Sequence, residues 1–472
     1  MNTAVPEIPA KDIVARLVAR ARAAQRIAAS YDQSRIDELV LAAGWAIMAP
    51  ERNRILAELA VRDTGLGRVQ DKLDKNHRKT LGLLRDLRGA KSVGVVAEYP
   101  EKGIVEIARP VGVVAAVVPS TNPGATPANN IINALKGANA IILAPSPKGH
   151  STCAKLLEFV HAELGRTGAP QDLVQMLPQP VSKAMSEALM KQADLVVVTG
   201  SQANVRAAYS SGTPALGVGA GNVVVIVDDS ADLTAAAARI ARSKVFDHAT
   251  SCSSENSAVL LAPIYAAMLK EFERQGGALL NAEEKARLQA VMFPHGKLGS
   301  ATTAQSVARI CELAGLTRPE LTRASFLMVE ESGTGREHPF SGEKLCPVLT
   351  VYRARDFGHA FALAQSIYDY QGNGHSVGIH TSDDAHVMKI GLEMTVCRVI
   401  VNQAHAIANG GSFDNGLPFS LSMGCGTWGG NGFSENLNYR HFLNTTRIVR
   451  PIAPNEPSAE EVFAGYRAKY GL

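Results

Sequence analysis

The amino-acid sequence predicts an α/β protein with two α/β domains, each built on an open and mostly parallel sheet. Strand-like and helix-like patterns alternate along residues 110–247, and they alternate again along residues 257–402. Such series fold into parallel sheets with helices on both faces. The chain has 472 residues, more than one hydrophobic core ordinarily accommodates. Two such domains leave a cleft between them that suits an enzyme with two substrates.

The strands of the first series are apolar throughout. The run at residues 111–118 ends at Pro119, as expected of a strand buried on both faces. Further candidate strands lie at 139–144, 173–176, 195–199 and 223–227. Helical patterns separate them, the last over residues 231–246. We therefore expect all of these strands in one sheet.

The second series supplies its own candidate strands, at residues 258–261, 326–329, 348–352, 377–381 and 399–401. Helical segments fit between them. This alternation predicts a second parallel sheet with its own helices.

A hairpin arm is predicted before the first sheet, at about residues 92–109. Its two strands flank Pro-Glu-Lys-Gly at residues 100–103, and a C-terminal strand at 448–452 has the composition to join them. An exposed arm of strands is an edge that another subunit can cover. We therefore expect a homodimer or a homotetramer.

Composition excludes several classes of function. Apolar residues make up 46% and charged residues 19% of the chain, a balance typical of globular proteins. A net charge of +4 gives no basic field for nucleic acid, and no run approaches the roughly 18 apolar residues of a membrane span. Six scattered cysteines without a C-x-x-C pair predict reduced thiols in the cytoplasm and no metal site.

The glycine clusters do not form an ordinary dinucleotide-binding fingerprint. Gly217, Gly219 and Gly221 precede a strand instead of following one, and the cluster at residues 424–429 follows no clear strand. The turn at residues 199–201 is better placed, because it follows a strand and opens a helix. Its backbone N–H groups either hold a phosphate or form a plain turn.

Cys252 lies in a loop of small hydroxyl residues, Thr-Ser-Cys-Ser-Ser, between a long helix and a strand. Such a loop leaves room for a substrate to approach a nucleophilic thiol. A single cysteine is otherwise an inert packed thiol, as Cys153 and Cys397 are expected to be.

Four segments together resemble the CoA-acylating branch of the aldehyde dehydrogenase superfamily. They are residues 118–123 with 134–136, residues 198–201 through 206–212, the Cys252 loop, and residues 424–431 with 434–436. The resemblance extends over about residues 15–455 and implies the aldehyde dehydrogenase fold. It implies a cofactor-binding domain (1–247), a catalytic domain (248–424), and a C-terminal return to the cofactor domain that ends in an oligomerisation strand (425–472).

The resemblance also implies the reaction: an aldehyde, CoA and NAD(P)⁺ give an acyl-CoA and NAD(P)H through a thioester on Cys252. In this reading Asn122 and the Cys252 N–H stabilise the oxyanion. Alignment on Pro119 instead puts Thr121 at the asparagine position of the hydrolytic branch, so Thr121 is a candidate substrate contact. The implied cofactor contacts are Pro119, Thr199, Gly200, Ser201 and Glu343.

Two departures from the hydrolytic branch carry information. Ala215 stands where that branch has its water-activating glutamate, which leaves the thioester for a thiol such as CoA. Pro147 stands where NAD-preferring relatives often have a glutamate for the ribose 2′-hydroxyl. With Ser146 and Lys148 beside it, this favours NADP slightly over NAD.

The segments at 399–405, 412–415 and 419–425 are most similar to family members that act on sulfoacetaldehyde. Gln403, His405 and Asn415 either donate to a sulfonate or pack the loop. Succinate semialdehyde and short unbranched aldehydes are alternative substrates. A cofactor-independent thiol acyltransferase or hydrolase, an acid-forming dehydrogenase and a non-catalytic scaffold are the competing classes.

Overall fold

The computed structural model describes residues 9–471. The described strands form a five-stranded parallel sheet, a seven-stranded parallel sheet and a three-stranded antiparallel sheet. The prediction of an α/β fold with mostly parallel sheets is confirmed. Residues 1–8 and 472, which the predicted first and last segments include, lie outside the described part.

Helices open the described chain: α1 (Ala10–Ala28), α2 (Gln33–Met48), α3 (Pro50–Thr64) and α4 (Val69–Leu87). The apolar residues of α1 recur at helical spacing, and Val14, Val18 and Ala21 are buried. Asp32 caps α2 by accepting the Arg35 N–H. Together these helices contribute the outer part of the first hydrophobic core.

The predicted hairpin follows. β1 (Gly94–Tyr99) and β2 (Ile104–Pro110) pair antiparallel, with Tyr99 opposite Ile104. Gly103 closes the turn at a φ of 63°, a left-handed conformation that favours glycine.

The five-stranded sheet and its helices come next: β3 (Val113–Val118), α5 (Ala125–Lys136), β4 (Ala140–Pro145), α6 (His150–Thr167), β5 (Val174–Met176), α7 (Lys183–Gln192), β6 (Leu195–Val198), α8 (Gln202–Tyr209) and β7 (Ala215–Gly217). The strand order is β5-β4-β3-β6-β7. All residues of β3, β4 and β6 are buried, as the continuous apolar runs predict.

The seven-stranded sheet and the helices that connect its strands follow: β8 (Val223–Val227), α9 (Leu233–Val245), β9 (Glu255–Leu261), α10 (Tyr265–Arg274), β10 (Gly277–Leu279), α11 (Ala282–Met292), α12 (Val307–Ala314), α13 (Pro319–Thr322), β11 (Phe326–Glu330), β12 (Val348–Ala354), α14 (Phe357–Tyr370), β13 (Val377–His380), α15 (Asp384–Glu393) and β14 (Val399–Val401). Its strand order is β10-β11-β12-β9-β8-β13-β14. Two further apolar clusters fill this half of the molecule.

The prediction from the sequence placed β8 in the wrong sheet. β8 was expected in the first sheet, but it pairs in parallel with β9 and β13 in the second. Five consecutive buried residues predict a central parallel strand without indicating which sheet it joins. The change of sheet therefore lies between residues 217 and 223, before the division after residue 247 that the sequence predicted.

The C-terminal region returns to the first half of the molecule through α16 (His405–Ala408), β15 (Leu443–Val449) and α17 (Ala459–Tyr470). Phe419, Leu437 and Phe442 are buried in the first core. β15 pairs antiparallel with β2 and so completes the three-stranded sheet. Within residues 9–471, no helix combines the length and the apolar character that crossing a bilayer requires.

Candidate active site

A cavity of about 650 Å³ lies at the carboxyl ends of β3, β4 and β6. Residues that follow these strands line it, together with the Cys252 loop and residues 218–221. The carboxyl ends of parallel strands are where ligands bind in open α/β sheets.

The structure places most of the predicted site residues along this cavity. Those that line it are Pro119, Thr121, Asn122, Ser146, Thr199, Gly200, Ser201, Cys252 and Glu343. Lys148 is exposed and lies one residue beyond the lining residue Pro147.

The loop that carries Cys252 is held by a buried ion cluster. Asp247, His248 and Ala249 have φ values of 52°, 50° and 55°, which are costly for residues with a Cβ. Asp247 is fully buried, and its carboxylate accepts from Lys72 at 3.0 Å and Lys75 at 2.6 Å. Burial alone would raise the pKa of Asp247, but Lys75 and Lys72 lower it to about 2. The negative charge therefore persists and fixes the turn before Cys252.

The same cluster orients Asn122. Lys75 donates to the Asn122 Oδ1 at 2.8 Å, and Lys72 donates to the Thr121 carbonyl at 3.0 Å. Because the Asn122 oxygen is taken by an ammonium, its Nδ2 is the end left to donate. Among the described residues, no acceptor takes the Cys252 backbone N–H either. Two N–H donors can therefore serve a developing oxyanion in this cavity.

Gly221 allows Cys252 and Glu343 to approach each other. A Cβ at Gly221 would lie 2.6 Å from the Cys252 Cβ and 2.7 Å from a Glu343 carboxylate oxygen. No side chain fits at such distances, so the glycine is required by close packing. The cluster of glycines at residues 217–221 thus packs the reaction centre. It follows the short strand β7, contrary to the sequence-based expectation, but it leads into β8 and not into a helix, so it does not form a dinucleotide-binding phosphate loop.

Burial sets the protonation states of these two residues. Burial and, to a smaller extent, the nearby Glu343 carboxylate raise the pKa of Cys252 to about 12. Burial also raises the pKa of Glu343 to about 8. Cys252 therefore rests as a thiol and needs a base to become a nucleophile.

His375 supplies such a base, and sequence analysis missed it. Its Nε2 lies 3.4 Å from the Cys252 Sγ, and its Nδ1 lies 2.7 Å from the Ser376 hydroxyl. When Nδ1 donates to Ser376, Nε2 presents its lone pair to the thiol. Burial, together with Arg398 and His405, lowers the pKa of His375 well below its ordinary value, so the imidazole is neutral and free to accept a proton.

Arg398 anchors this histidine. Its guanidinium donates to the His375 carbonyl at 2.9 Å and to the Gly424 carbonyl at 2.7 Å. It also donates to the carbonyl of Ser434 at 3.2 Å. A buried arginine therefore links His375 to the loop at residues 424–434, which explains why that glycine-rich loop lies beside the site.

The turn after β6 is exposed, unlike the buried surroundings of Cys252. Ser201 caps α8 by accepting the Asn204 N–H at 3.3 Å, and the exposed Gly200 has a φ of 156°. The Thr199 hydroxyl lies 2.6 Å from that of Ser422. The exposed Gly200 and Ser201 line the open end of the cavity, and a helix start of this kind can bind a phosphate through its backbone N–H groups.

Three predicted substrate contacts lie behind the cavity instead of along it. Asn415 donates to Gln403 at 3.0 Å and to the Ala408 carbonyl at 3.1 Å, so its amide holds the loop. His405 is buried and its Nδ1 lies 2.9 Å from the Ser253 carbonyl. None of the three lines the cavity, and the contacts they make in this structure are contacts within the protein that pack the loop.

These observations define a class of protein: an α/β enzyme with a nucleophilic thiol, a neighbouring base and a nucleotide-sized cavity. The aldehyde dehydrogenase family matches residues 3–316. The sulfoacetaldehyde dehydrogenase (acylating) of Cupriavidus necator is 61% identical over 466 residues, which cover 99% of this chain and 94% of that protein. The corresponding protein of Bilophila wadsworthia is 42% identical, covering 96% and 98%.

Solved structures agree with the sequence relatives. An acetylating aldehyde dehydrogenase from Geobacillus thermoglucosidasius superimposes with a TM-score of 0.90 at 34% identity, covering 95% of this chain and 98% of that chain. The chain described here belongs to the aldehyde dehydrogenase family.

Proposed function

We propose that this chain is a CoA-acylating aldehyde dehydrogenase with sulfoacetaldehyde as its favoured substrate. An aldehyde, CoA and NAD(P)⁺ would give an acyl-CoA, NAD(P)H and a proton. The observation that carries this proposal is the buried His375, whose Nε2 lies 3.4 Å from the Sγ of the cavity-lining Cys252. Glu343 is the only carboxylate among the described lining residues, and Ala215 stands where hydrolytic relatives have their base. Relatives named for acylating chemistry support the same reading.

The first steps follow from the geometry. His375 accepts the Cys252 proton, and the thiolate attacks the aldehyde carbon. The oxyanion accepts hydrogen bonds from the Cys252 N–H and the Asn122 amide, each contributing about 3 kcal/mol to the transition state. The resulting thiohemiacetal loses hydride and becomes a thioester on Cys252.

The cavity fits a nicotinamide dinucleotide. Such a cofactor supplies the hydride acceptor when bound. The helix start at Thr199, Gly200 and Ser201 would hold its pyrophosphate, with Pro119 along the same wall and Glu343 near the ribose of the nicotinamide. The exposed Gly200 supports this assignment, because a side chain there would crowd an approaching phosphate.

Acyl transfer to CoA uses the same base. His375 first releases to solvent the proton that it took from Cys252, as its lowered pKa favours, and is then neutral beside the thioester sulfur. It can accept the CoA thiol proton as the CoA sulfur attacks the acyl carbon. The Cys252 thiolate then leaves and recovers a proton from His375. A ping-pong sequence results.

Two finer points belong to this proposal. Ser146 lines the cavity and Lys148 is exposed next to it, with no carboxylate between them, which favours NADP over NAD.

We also infer a cytoplasmic homodimer or homotetramer that joins through the sheet of β1, β2 and β15, where Ile448 and Val449 are exposed.

A cofactor-linked assay tests the function. The protein is supplied with sulfoacetaldehyde, succinate semialdehyde or propanal, with NADP⁺ or NAD⁺, and with or without CoA. We expect nucleotide reduction that requires CoA, with sulfoacetaldehyde giving the highest kcat/KM. Equal turnover without CoA would identify an acid-forming enzyme, and acyl transfer without nucleotide reduction would identify a cofactor-independent acyltransferase.

A further inference from the structure

Lys79 brings a buried ammonium group to the wall of the cavity. It lies on α4, it is 5% exposed, and it lines the cavity together with Gly410. Its Nζ donates to the Gly410 carbonyl and, at 3.4 Å, to the Gly411 carbonyl. The Phe419 ring lies 5.5 Å from the same nitrogen. In the charged form of Lys79 two N–H bonds are thereby used, and a third remains for a ligand.

This ammonium lacks a neutralising partner. The buried Lys72 and Lys75 share Asp247, and the buried Lys136 pairs with Asp37. Lys244 and Lys344 are also buried and donate to backbone carbonyls, but unlike Lys79 they do not line the cavity. Among residues 9–471, no carboxylate lies within 4.0 Å of the Lys79 Nζ. A buried cation without an anion is costly, and such groups are ordinarily paired.

The electrostatic surroundings of Lys79 disfavour its charge in the free protein. Burial lowers its pKa well below the ordinary value, and Arg78 and Lys75 lower it further. Asp86 and the ionised form of Cys252 act in the opposite direction. An anion bound beside the amine would restore the charged form, because each stabilises the other.

Gly410 explains how the amine reaches the cavity. A Cβ at Gly410 would lie 2.6 Å from the Lys79 Nζ and 2.6 Å from the Ser420 carbonyl oxygen, and the backbone oxygen could not move aside. Gly410, Lys79 and Cys252 all line the cavity. Because an ionised Cys252 raises the pKa of Lys79, the two groups interact across the part of the cavity that an aldehyde bound at the thiol would occupy.

We propose that Lys79 is the specificity-determining residue of this enzyme and binds the sulfonate of the aldehyde substrate. The assignment rests on the proposed function. It gives the sulfonate a cationic partner. Gln403, His405 and Asn415 do not provide one, because none of them lines the cavity. A sulfonate and a carboxylate share the required negative charge, so the test contains an arm for each.

The test compares the wild-type protein with Lys79→Met and Lys79→Arg. Each is assayed with NADP⁺ and CoA on sulfoacetaldehyde, succinate semialdehyde and propanal. For Lys79→Met, we expect the kcat/KM ratio of sulfoacetaldehyde to propanal to fall by about 10- to 100-fold, as for the loss of one charged hydrogen bond. Lys79→Arg should recover part of that ratio. In the wild-type protein, the ratio of succinate semialdehyde to propanal should be lower than that of sulfoacetaldehyde to propanal.

A binding measurement separates recognition from turnover. Ethanesulfonate, which carries no aldehyde, should slow alkylation of Cys252 by iodoacetamide in the wild-type protein and lose this effect in Lys79→Met. Lys136→Met is the matched control, because it removes a buried lysine outside the cavity and should lower the melting temperature without changing either ratio.

The outcomes are distinguishable. If the wild-type protein prefers sulfoacetaldehyde but Lys79→Met keeps the same ratio and the same protection by ethanesulfonate, the assignment of Lys79 is wrong and the proposed function stands. If both aldehydes lose activity equally in Lys79→Met, the residue supports the fold and the assignment is again wrong. If the wild-type protein does not turn over sulfoacetaldehyde, both proposals fail.

Discussion

The two ends of the cavity differ in how they are built. At the reaction end, Cys252 lies 3.4 Å from His375 and meets Glu343 at Gly221, and burial shifts the pKa of all three groups. At the open end, Ser201 and Gly200 are exposed, and the turn is held by one helix cap and backbone geometry. The comparison teaches that chemistry here depends on close packing, whereas phosphate binding depends on a strand-to-helix turn that many sequences can form.

The largest effect is expected from His375→Gln. Without the imidazole, thiolate formation depends on hydroxide, so kcat at neutral pH should fall by about 10²- to 10³-fold. Because the pKa of Cys252 is raised to about 12, the residual rate should increase roughly tenfold per pH unit between pH 7 and 10. The wild-type rate should be flat over that range, since the pKa of His375 lies below its ordinary value. A pH–rate profile for both proteins checks this, and parallel profiles would remove His375 as the base.

A smaller effect should follow from Gly221→Ala. The added methyl group would lie 2.6 Å from the Cys252 Cβ and must separate Cys252 from Glu343. We expect kcat/KM to fall by about 10- to 100-fold, the scale of an ångström-sized misplacement. Gly432→Ala is the matched control, because nothing lies within 4 Å of its added Cβ. Equal activity of the two variants would show that the close approach at Gly221 is dispensable.

Glu343→Gln tests the charge at the reaction end. The Glu343 carboxylate raises the pKa of Cys252, so removing its charge should lower that pKa and increase the thiolate fraction. We expect alkylation of Cys252 by iodoacetamide at pH 9, where Glu343 is largely ionised, to accelerate several-fold. Stopped-flow or mass-spectrometric alkylation rates measure this. A slower reaction would contradict the assigned direction.

The smallest effect is expected at the open end, from Ser201→Ala. Loss of the cap on α8 should cost about 1 kcal/mol of unfolding free energy and raise the KM for nucleotide a few-fold. The kcat should change little, because no reacting group depends on this side chain. Denaturant titration and initial-rate kinetics provide the two numbers, and a large loss of kcat would erase the distinction between the two ends.

Much of the fold follows from local patterns. The buried runs at β3, β4 and β6 and the turns around Gly103 were readable because each element is specified by its own residues. The sheet that β8 joins could not be predicted from its residues, because a uniformly apolar strand can pair with the strands of either sheet. The three-residue strand β7 was also missed, since Ala-Leu-Gly carries no period that separates strand from loop.

The residues of the site likewise divide into those that local sequence predicts and those that only the fold brings together. The Cys252 loop and the turn at Thr199 were found because small residues and helix starts have recognisable chemistry. His375 lies 123 residues from Cys252 along the chain, in a segment without a motif, and only the fold brings the two together. Lys79 sits among other charged residues of α4, where a solvated lysine and a buried one look alike in sequence.

The most direct test of the whole account is the intact mass of the protein after incubation with sulfoacetaldehyde and NADP⁺ in the absence of CoA. The account predicts an acyl adduct on Cys252 that persists until CoA is added, and then disappears as sulfoacetyl-CoA forms. Cys252→Ala should never acquire it. An unmodified Cys252 under conditions in which NADPH is produced would contradict the thioester on which the mechanism depends.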